Sequence, residues 1–166
     1  MFRTAAAVLT ALAAALTAGS ASVAAAAGAP SHSSRHGAER LVFAGTSTKS
    51  GLFSVIATGM FTDGGTVSIF SPKPVIRLGA GTLRLRAKDG PGKRRLDRAT
   101  CLLTISGRGT YRLAGGTGKY AGLSGSGRFV TTGRAVYPRK TNGTCASAHP
   151  LAFQGTVTLT GSVTER

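Results

Sequence analysis

Basic side chains are the residues of this chain whose types and spacing point most directly to a chemistry, the binding of anions. The sequence holds 21 Lys and Arg against five Asp and Glu, which gives a formal net charge of +16 at pH 7. Alternate side chains of a strand share a face, so a strand over residues 82–88 projects its basic residues together, and the predicted loop after it adds more. The predicted anion-binding residues are Arg84, Arg86, Lys93, Arg94, Arg95 and Arg98.

Such a patch favours polyanionic partners, because its long-range attraction needs no base-specific contact. The expected partners are anionic cell-envelope polymers or lipid surfaces. Sequence-specific recognition of nucleic acid is not predicted, since Phe43, Phe53 and Phe153 occupy positions typical of a core and no nucleic-acid motif appears. The alternative interpretation is a solvated basic face that keeps a secreted protein soluble. The oligomeric state stays open.

Residues for metal binding or nucleophilic catalysis are few and poorly spaced. His32, His36 and His149 show no metal-binding spacing, so no metal and no cofactor is predicted. There is no G-x-S-x-G turn and no Asp–His pair to activate a serine, so no catalytic residue is predicted and a non-catalytic protein is favoured over an enzyme. The acids lie at chain ends or in predicted turns, and none is expected to point into a barrel: Glu39, Asp63, Asp89, Asp97 and Glu165.

The N-terminal segment has the order of a secretory signal peptide, with Arg3 first, then an apolar run over residues 4–16 and a small-residue tract. We predict a signal peptide over residues 1–28 and a secreted, extracellular protein. The apolar run is shorter than the roughly 20 residues of a membrane-spanning helix, so the mature chain is expected to have no transmembrane segment. A disordered linker is predicted over residues 29–40, followed by one domain over residues 41–166.

The two cysteines, Cys101 and Cys145, are predicted to form one disulfide bond, because an exported chain meets an oxidising compartment. The alternative is a reactive thiol. Neither cysteine lies in a C-x-x-C pair, which disfavours that alternative.

The elements that must position these residues are β-strands. From Leu41 onward, apolar residues alternate with Thr, Ser, Gly or Arg at period two, and no later window has a capped helical period. About eight strands are predicted, near residues 41–46, 53–61, 66–70, 81–88, 100–106, 109–113, 126–137 and 151–163, with turns at 63–65, 89–92 and 142–143. The pattern predicts an all-β fold, an antiparallel eight-stranded barrel that leaves no open edge, with a β-sandwich as the alternative.

A Gly-rich segment over residues 113–125 carries the most distinctive motif. It resembles the Gly-Gly-Thr-Gly motif of dirigent proteins and allene oxide cyclases, although Leu123 and Ser124 replace the Ala-Arg of that family. The matching positions are Gly115, Gly116, Thr117, Gly118, Tyr120 and Gly125. The mature chain also resembles uncharacterised secreted proteins of high-GC Gram-positive bacteria.

The resemblance implies a barrel with an apolar cavity, in which a small apolar ligand is bound or isomerised without a cofactor. This is the alternative to an anion-binding role, and an open cavity of several hundred Å3 would favour it over a filled interior. The residues themselves predict a tight glycine turn with positive φ, in which Tyr120 packs its ring as an anchor.

Overall fold

The computed structural model describes residues 34–46, 51–69 and 71–166, and within these ranges it holds eight strands and no helix. The predicted signal peptide and residues 29–33 of the predicted linker lie outside the described residues. The strands are β1 (Arg35–Gly45), β2 (Leu52–Gly59), β3 (Asp63–Ser68), β4 (Val75–Leu78), β5 (Gly81–Asp97), β6 (Leu102–Gly118), β7 (Ser124–Val136) and β8 (Ala152–Glu165).

The strands form one antiparallel sheet that closes in a ring. Each strand pairs with the next, and β1 pairs with β8 from Arg35 opposite Glu165 to Gly45 opposite Gly155. The predicted all-β, eight-stranded closed architecture is therefore confirmed, and the sandwich alternative is not. Strands β5 to β8 are longer than β2 to β4, so this part of the sheet continues past the short strands.

The interior is filled by side chains that alternate with exposed ones along each strand, which is what period two produces in a small barrel. These inward residues form one packed cluster. Twelve of them are no more than 2% exposed: Leu41, Phe43, Phe53, Val55, Ala57, Val67, Ile76, Leu83, Tyr111, Leu113, Leu159 and Val163.

Strand β1 begins earlier than the sequence predicts. Residues 35–40, assigned to the disordered linker, pair with β8, and Glu39 and Arg40 pair with β2 as well. Arg35, His36 and Arg40 are exposed and the Glu39 side chain is buried, so backbone pairing, and not an apolar period, holds this segment as strand.

Strands β5 and β6 are longer than predicted, and form a ribbon. Residues 89–92, predicted as a turn, instead shift the register inside β5, where Asp89 lies opposite Gly109 and Gly92 opposite Gly107. This is a β-bulge, which the same Gly and Pro residues favour. The basic segment after it is strand, not loop, and the two strands predicted at 100–106 and 109–113 are one strand, β6. Strand β4 was not predicted.

The predicted disulfide bond between Cys101 and Cys145 is confirmed, with a Cα–Cα distance of 5.4 Å. It ties the β5–β6 turn to the segment between β7 and β8. Arg139 reinforces this connection by donating hydrogen bonds to the carbonyl oxygens of Ala99, at 2.6 Å, and Gly143, at 2.7 Å. A disulfide bond is compatible with an extracellular protein.

Candidate polyanion-binding face

Four of the six predicted anion-binding residues lie together on the outer side of β5. Arg84 and Arg86 alternate with Leu83 and Leu85, which are buried in the core. Beyond the bulge, the outer side continues with side chains whose cross-strand partners on β6 are exposed. The four residues, all exposed, are Arg84, Arg86, Lys93 and Arg95.

Arg94 and Arg98 do not share this side. Arg94 lies opposite Ile105, which is half-buried and alternates with the exposed Thr104 and Ser106, so Arg94 belongs to the inner side of the ribbon. Arg98 lies beyond the end of β5, and its carbonyl oxygen accepts a hydrogen bond from Arg139 at 3.4 Å. The structure separates these two residues from the other four because the predicted loop is a strand, whose alternate side chains point to opposite faces.

The neighbouring strands contribute basic residues that sequence reasoning missed. They lie on the same outer side of the sheet, and all are exposed. We define the basic face as the ten outer-side residues Arg40, Arg84, Arg86, Lys88, Lys93, Arg95, Arg108, Arg112, Arg128 and Arg134. A sequence signal existed for the missed ones, since Arg108 and Arg112, and likewise Arg128 and Arg134, are separated by even numbers of residues within β6 and β7.

The sheet register aligns basic and hydroxyl side chains in rows across the strands. One row crosses five strands and alternates strictly: Lys88, Thr110, Arg128, Thr160 and Arg40. Neighbouring strands lie about 4.8 Å apart, so the basic residues of this row, two strands apart, are separated by about 10 Å at their backbones.

Two further rows flank this one and carry the same residue types. The row on one side contains Arg86, Arg112, Ser126 and Ser162, and a row nearer the other end contains Arg95, Thr104, Arg134 and Gln154. No acidic residue occurs in any of these cross-strand rows.

The positive charge of the basic face has little compensation within the molecule. In residues 34–46, 51–69 and 71–166 the one ion pair joins Arg35 to Glu165, at 3.9 Å, and neither belongs to the face. Asp97 ends β5 and accepts a hydrogen bond from the Ala99 amide at 2.8 Å, which, aided by the charge of Arg95, lowers its pKa. The face therefore presents a strong, nearly unbroken positive field.

A second polar cluster lies inside one end of the barrel and corrects the expectation that no acid points inward. Glu39 is 3% exposed and burial raises its pKa; its Oε2 accepts a hydrogen bond from the Phe61 amide at 3.2 Å. The Glu39 Oε1 and the Tyr111 hydroxyl have no hydrogen-bond partner in the described part of the chain. Room for the Tyr111 ring comes from Gly127 and Gly161, where an added Cβ would lie within 2.8 Å of that side chain.

Asp63 and Tyr120 close the same end of the barrel. The Tyr120 hydroxyl donates to Asp63 Oδ2 at 2.6 Å, and this bond, with the amides of Ala80, Gly64 and Gly79, lowers the pKa of Asp63 to about 2. The Tyr120 ring is buried, and its centroid lies 4.9 Å from that of Phe61. The predicted anchoring role of Tyr120 is thus confirmed.

The glycines of the Gly-rich segment divide into two groups. Gly115 and Gly118 have the predicted positive φ, 57° and 61°, but both lie in strand β6 and not in a tight turn, Gly115 beside a shift in the β5–β6 register and Gly118 at the end of the strand. An added Cβ at Gly116 would lie 2.2 Å from the Thr82 carbonyl oxygen, so that glycine permits a close approach between β5 and β6. The segment therefore shapes the end of β6 and the β6–β7 connection.

Two cavities lie at the ends of the barrel, and another, of about 590 Å3, lies on the basic face and is lined by Lys88, Asp89, Arg108 and Arg128. A cleft of about 440 Å3 at the Asp63 end is bordered by charged side chains, including Arg35, Lys119 and Glu165. An apolar recess of about 190 Å3 lies beside Phe43 and Phe129, and is smaller than ligand pockets of roughly 300–1,000 Å3. Between them, the inward side chains of the described strands are packed together.

No protein-family model, curated protein or solved structure matches this chain. The resemblance carried by residues 113–125 thus stays a prediction from the sequence. In the part of the chain that the structure describes, no group of three or more His, Cys, Asp or Glu is placed to hold a metal ion. The same residues contain no helix with the length and apolar character needed to cross a membrane.

Proposed function

We propose that this protein is a secreted, non-catalytic β-barrel protein whose basic face binds anionic polymers of the cell envelope. The observation that carries the proposal is the row of Lys88, Arg128 and Arg40, spaced by Thr110 and Thr160, which itself contains no acidic residue. Regularly spaced cations match a polymer whose anionic groups repeat along a chain.

The chemistry of the face suits phosphate, sulfate or carboxylate groups. Eight of its ten residues are Arg, whose planar guanidinium binds such groups through two parallel hydrogen bonds. Hydroxyl groups between the basic residues, such as those of Thr110 and Ser126, supply neutral donors. Contacts of this kind recognise charge and spacing, so binding is expected to be independent of monomer sequence and to weaken as salt rises.

The curvature of the sheet favours a polymer over a lipid surface. A flexible chain can follow one row of residues across the strands around the barrel, whereas a planar bilayer meets only the strands that face it at one time. The filled interior also supports a surface role over the small-ligand alternative, because the cleft of about 440 Å3 lies at the end of the barrel and not inside it. Secretion is supported by the leader-like residues 1–28, and N-terminal sequencing of protein from the culture medium tests it.

Retention on a heparin column tests the binding face. We expect substitution of Arg112, Arg128 and Arg134 by Gln to lower the salt concentration needed for elution. The matched control replaces three exposed lysines outside the strands, Lys73, Lys119 and Lys140, by Gln. Both variants lose the same net charge, so equal elution of the two would show that total charge, and not the face, is responsible. Thermal melts of both variants check that they fold.

A further inference from the structure

Among the described residues, one edge of strand β5 lacks a neighbouring strand over much of its length. Of the residues of β5, those that pair with β4 are 81–84. The last hydrogen bond on that side of β5 joins the Leu85 amide to the Pro74 carbonyl oxygen at 3.0 Å. Residues 86–97 of β5 pair with β6 alone among the described residues. The ring is thus closed at one end and continues at the other as an open-edged ribbon.

The open edge is divided by the bulge at residues 89–92, which contains Pro91. Bulges and prolines shorten the length of edge that another strand can use. The segment beyond, residues 92–97, is fully exposed and continuous in its pairing with β6. Six residues is the usual length of a strand, so this segment is long enough to pair with one more.

The charges along residues 92–97 disfavour pairing with a second copy of this chain and favour an acidic partner. Lys93, Arg95 and Asp97 project from the outer side of the ribbon and Arg94 from the inner side, so three cations and one acid give the segment a net charge of +2. Pairing with the same edge of a second copy would place like charges against each other, which destabilises a strand pair. The inner side also holds an apolar position, Leu96, which is 41% exposed and lies opposite the half-buried Leu103.

We propose that residues 92–97 dock an extended acidic segment of another polypeptide, which adds as a further strand to the edge of β5. Backbone hydrogen bonds hold the added strand, as in other cases of strand addition to a sheet edge. Its acidic side chains face Lys93 and Arg95, and its apolar side chains face Leu96. This site shares Lys93 and Arg95 with the basic face. It differs in its ligand requirement, because the ligand must form backbone hydrogen bonds as well as carry negative charge.

A synthetic peptide of about ten residues, alternating Glu and Val with blocked ends, is the probe. In a strand, the amides of alternate residues point to the same side, so only one of the two alternate sets can bond to β5. We therefore compare by fluorescence anisotropy the unmodified peptide, a form N-methylated at every Val and a form N-methylated at every Glu. We expect one methylated form to lose affinity by about tenfold or more and the other to retain it, at constant charge.

Equal affinity of all three peptides, loss with both methylated forms, or no binding of the unmodified peptide would overturn the proposal. In the protein, Arg94→Glu is expected to weaken peptide binding by about tenfold, because it lowers the net charge of residues 92–97 from +2 to 0 and so weakens their attraction for an acidic strand. Lys73→Glu, just before β4, is the control of equal charge change and should bind within about twofold of the unaltered protein. Arg94 is not part of the basic face, so equal heparin retention of these two variants keeps this test separate from that of the proposed function.

Discussion

Removal of the Cys101–Cys145 disulfide bond gives the sharpest test of how the fold is stabilised. Replacing both cysteines by Ala opens a loop with a sequence separation of 44 residues. In the chain-entropy model this restores about 13 cal/mol/K of entropy to the unfolded chain, which corresponds to about 4 kcal/mol at 25 °C. The folded state should change little, because Arg139 and the 3.0 Å bond from the Tyr137 amide to the Cys101 carbonyl oxygen still hold the segment.

Urea unfolding of the protein and of the double Ala variant measures this difference. We expect the free energy of unfolding to fall by about 4 kcal/mol. The dependence of that free energy on urea should become steeper, because the uncrosslinked chain exposes more surface when it unfolds. The unaltered protein unfolded in the presence of a reductant is the control, and it should match the variant. A difference below about 1 kcal/mol, with an unchanged urea dependence, would refute this reasoning.

The two acids at the closed end of the barrel should respond to pH in opposite directions. Burial raises the pKa of Glu39 above its ordinary value of 4.5, so the charged carboxylate destabilises the folded state as pH rises above that value. Glu39→Gln should therefore raise the melting temperature at pH 7 relative to the unaltered protein. This gain should vanish below about pH 4. The Tyr120 hydrogen bond helps to lower the pKa of Asp63 to about 2. The Asp63 carboxylate therefore stabilises the folded state above pH 3.8, and this stabilisation is lost between pH 3.8 and 2. Asp63→Asn should lower the melting temperature at neutral pH and remove this loss of stability in acid. Melting curves from pH 2 to 8 check both, and parallel curves for either variant and the unaltered protein would contradict the assignment for that residue.

The fold class was predictable because period-two alternation marks strands that are buried on one face, as at Phe53, Val55 and Ala57. The β5–β6 ribbon was not, because both of its faces meet solvent and carry no such alternation. Turns and β-bulges favour the same residue types, Gly and Pro among them. Residues 89–92 were therefore predicted as a turn, although they form a bulge. Strand β4 was not predicted because a segment of four residues after a proline is too short to show a periodic pattern.

The candidate site was predictable only where its residues are close in the sequence. Arg84 and Arg86 follow from alternation within one strand, but the alignment of Lys88 with Arg128 and Arg40 depends on the register between strands. A single strand carries no information on that register when its outer side is polar. The inward position of Glu39 was hidden for a similar reason, since the space beside it comes from glycines on β7 and β8.

The salt dependence of binding to a polyanion of known charge density tests the basic face most directly. Duplex DNA serves as that polyanion, and the affinity of each protein is measured over a series of salt concentrations. Each phosphate contact contributes about 0.9 to the slope of log affinity against log salt, so the Gln variant of Arg112, Arg128 and Arg134 should have a slope shallower by up to about 2.7. The control variant of Lys73, Lys119 and Lys140 should keep the slope of the unaltered protein. Equal slopes in the two variants would contradict the assignment of binding to this face.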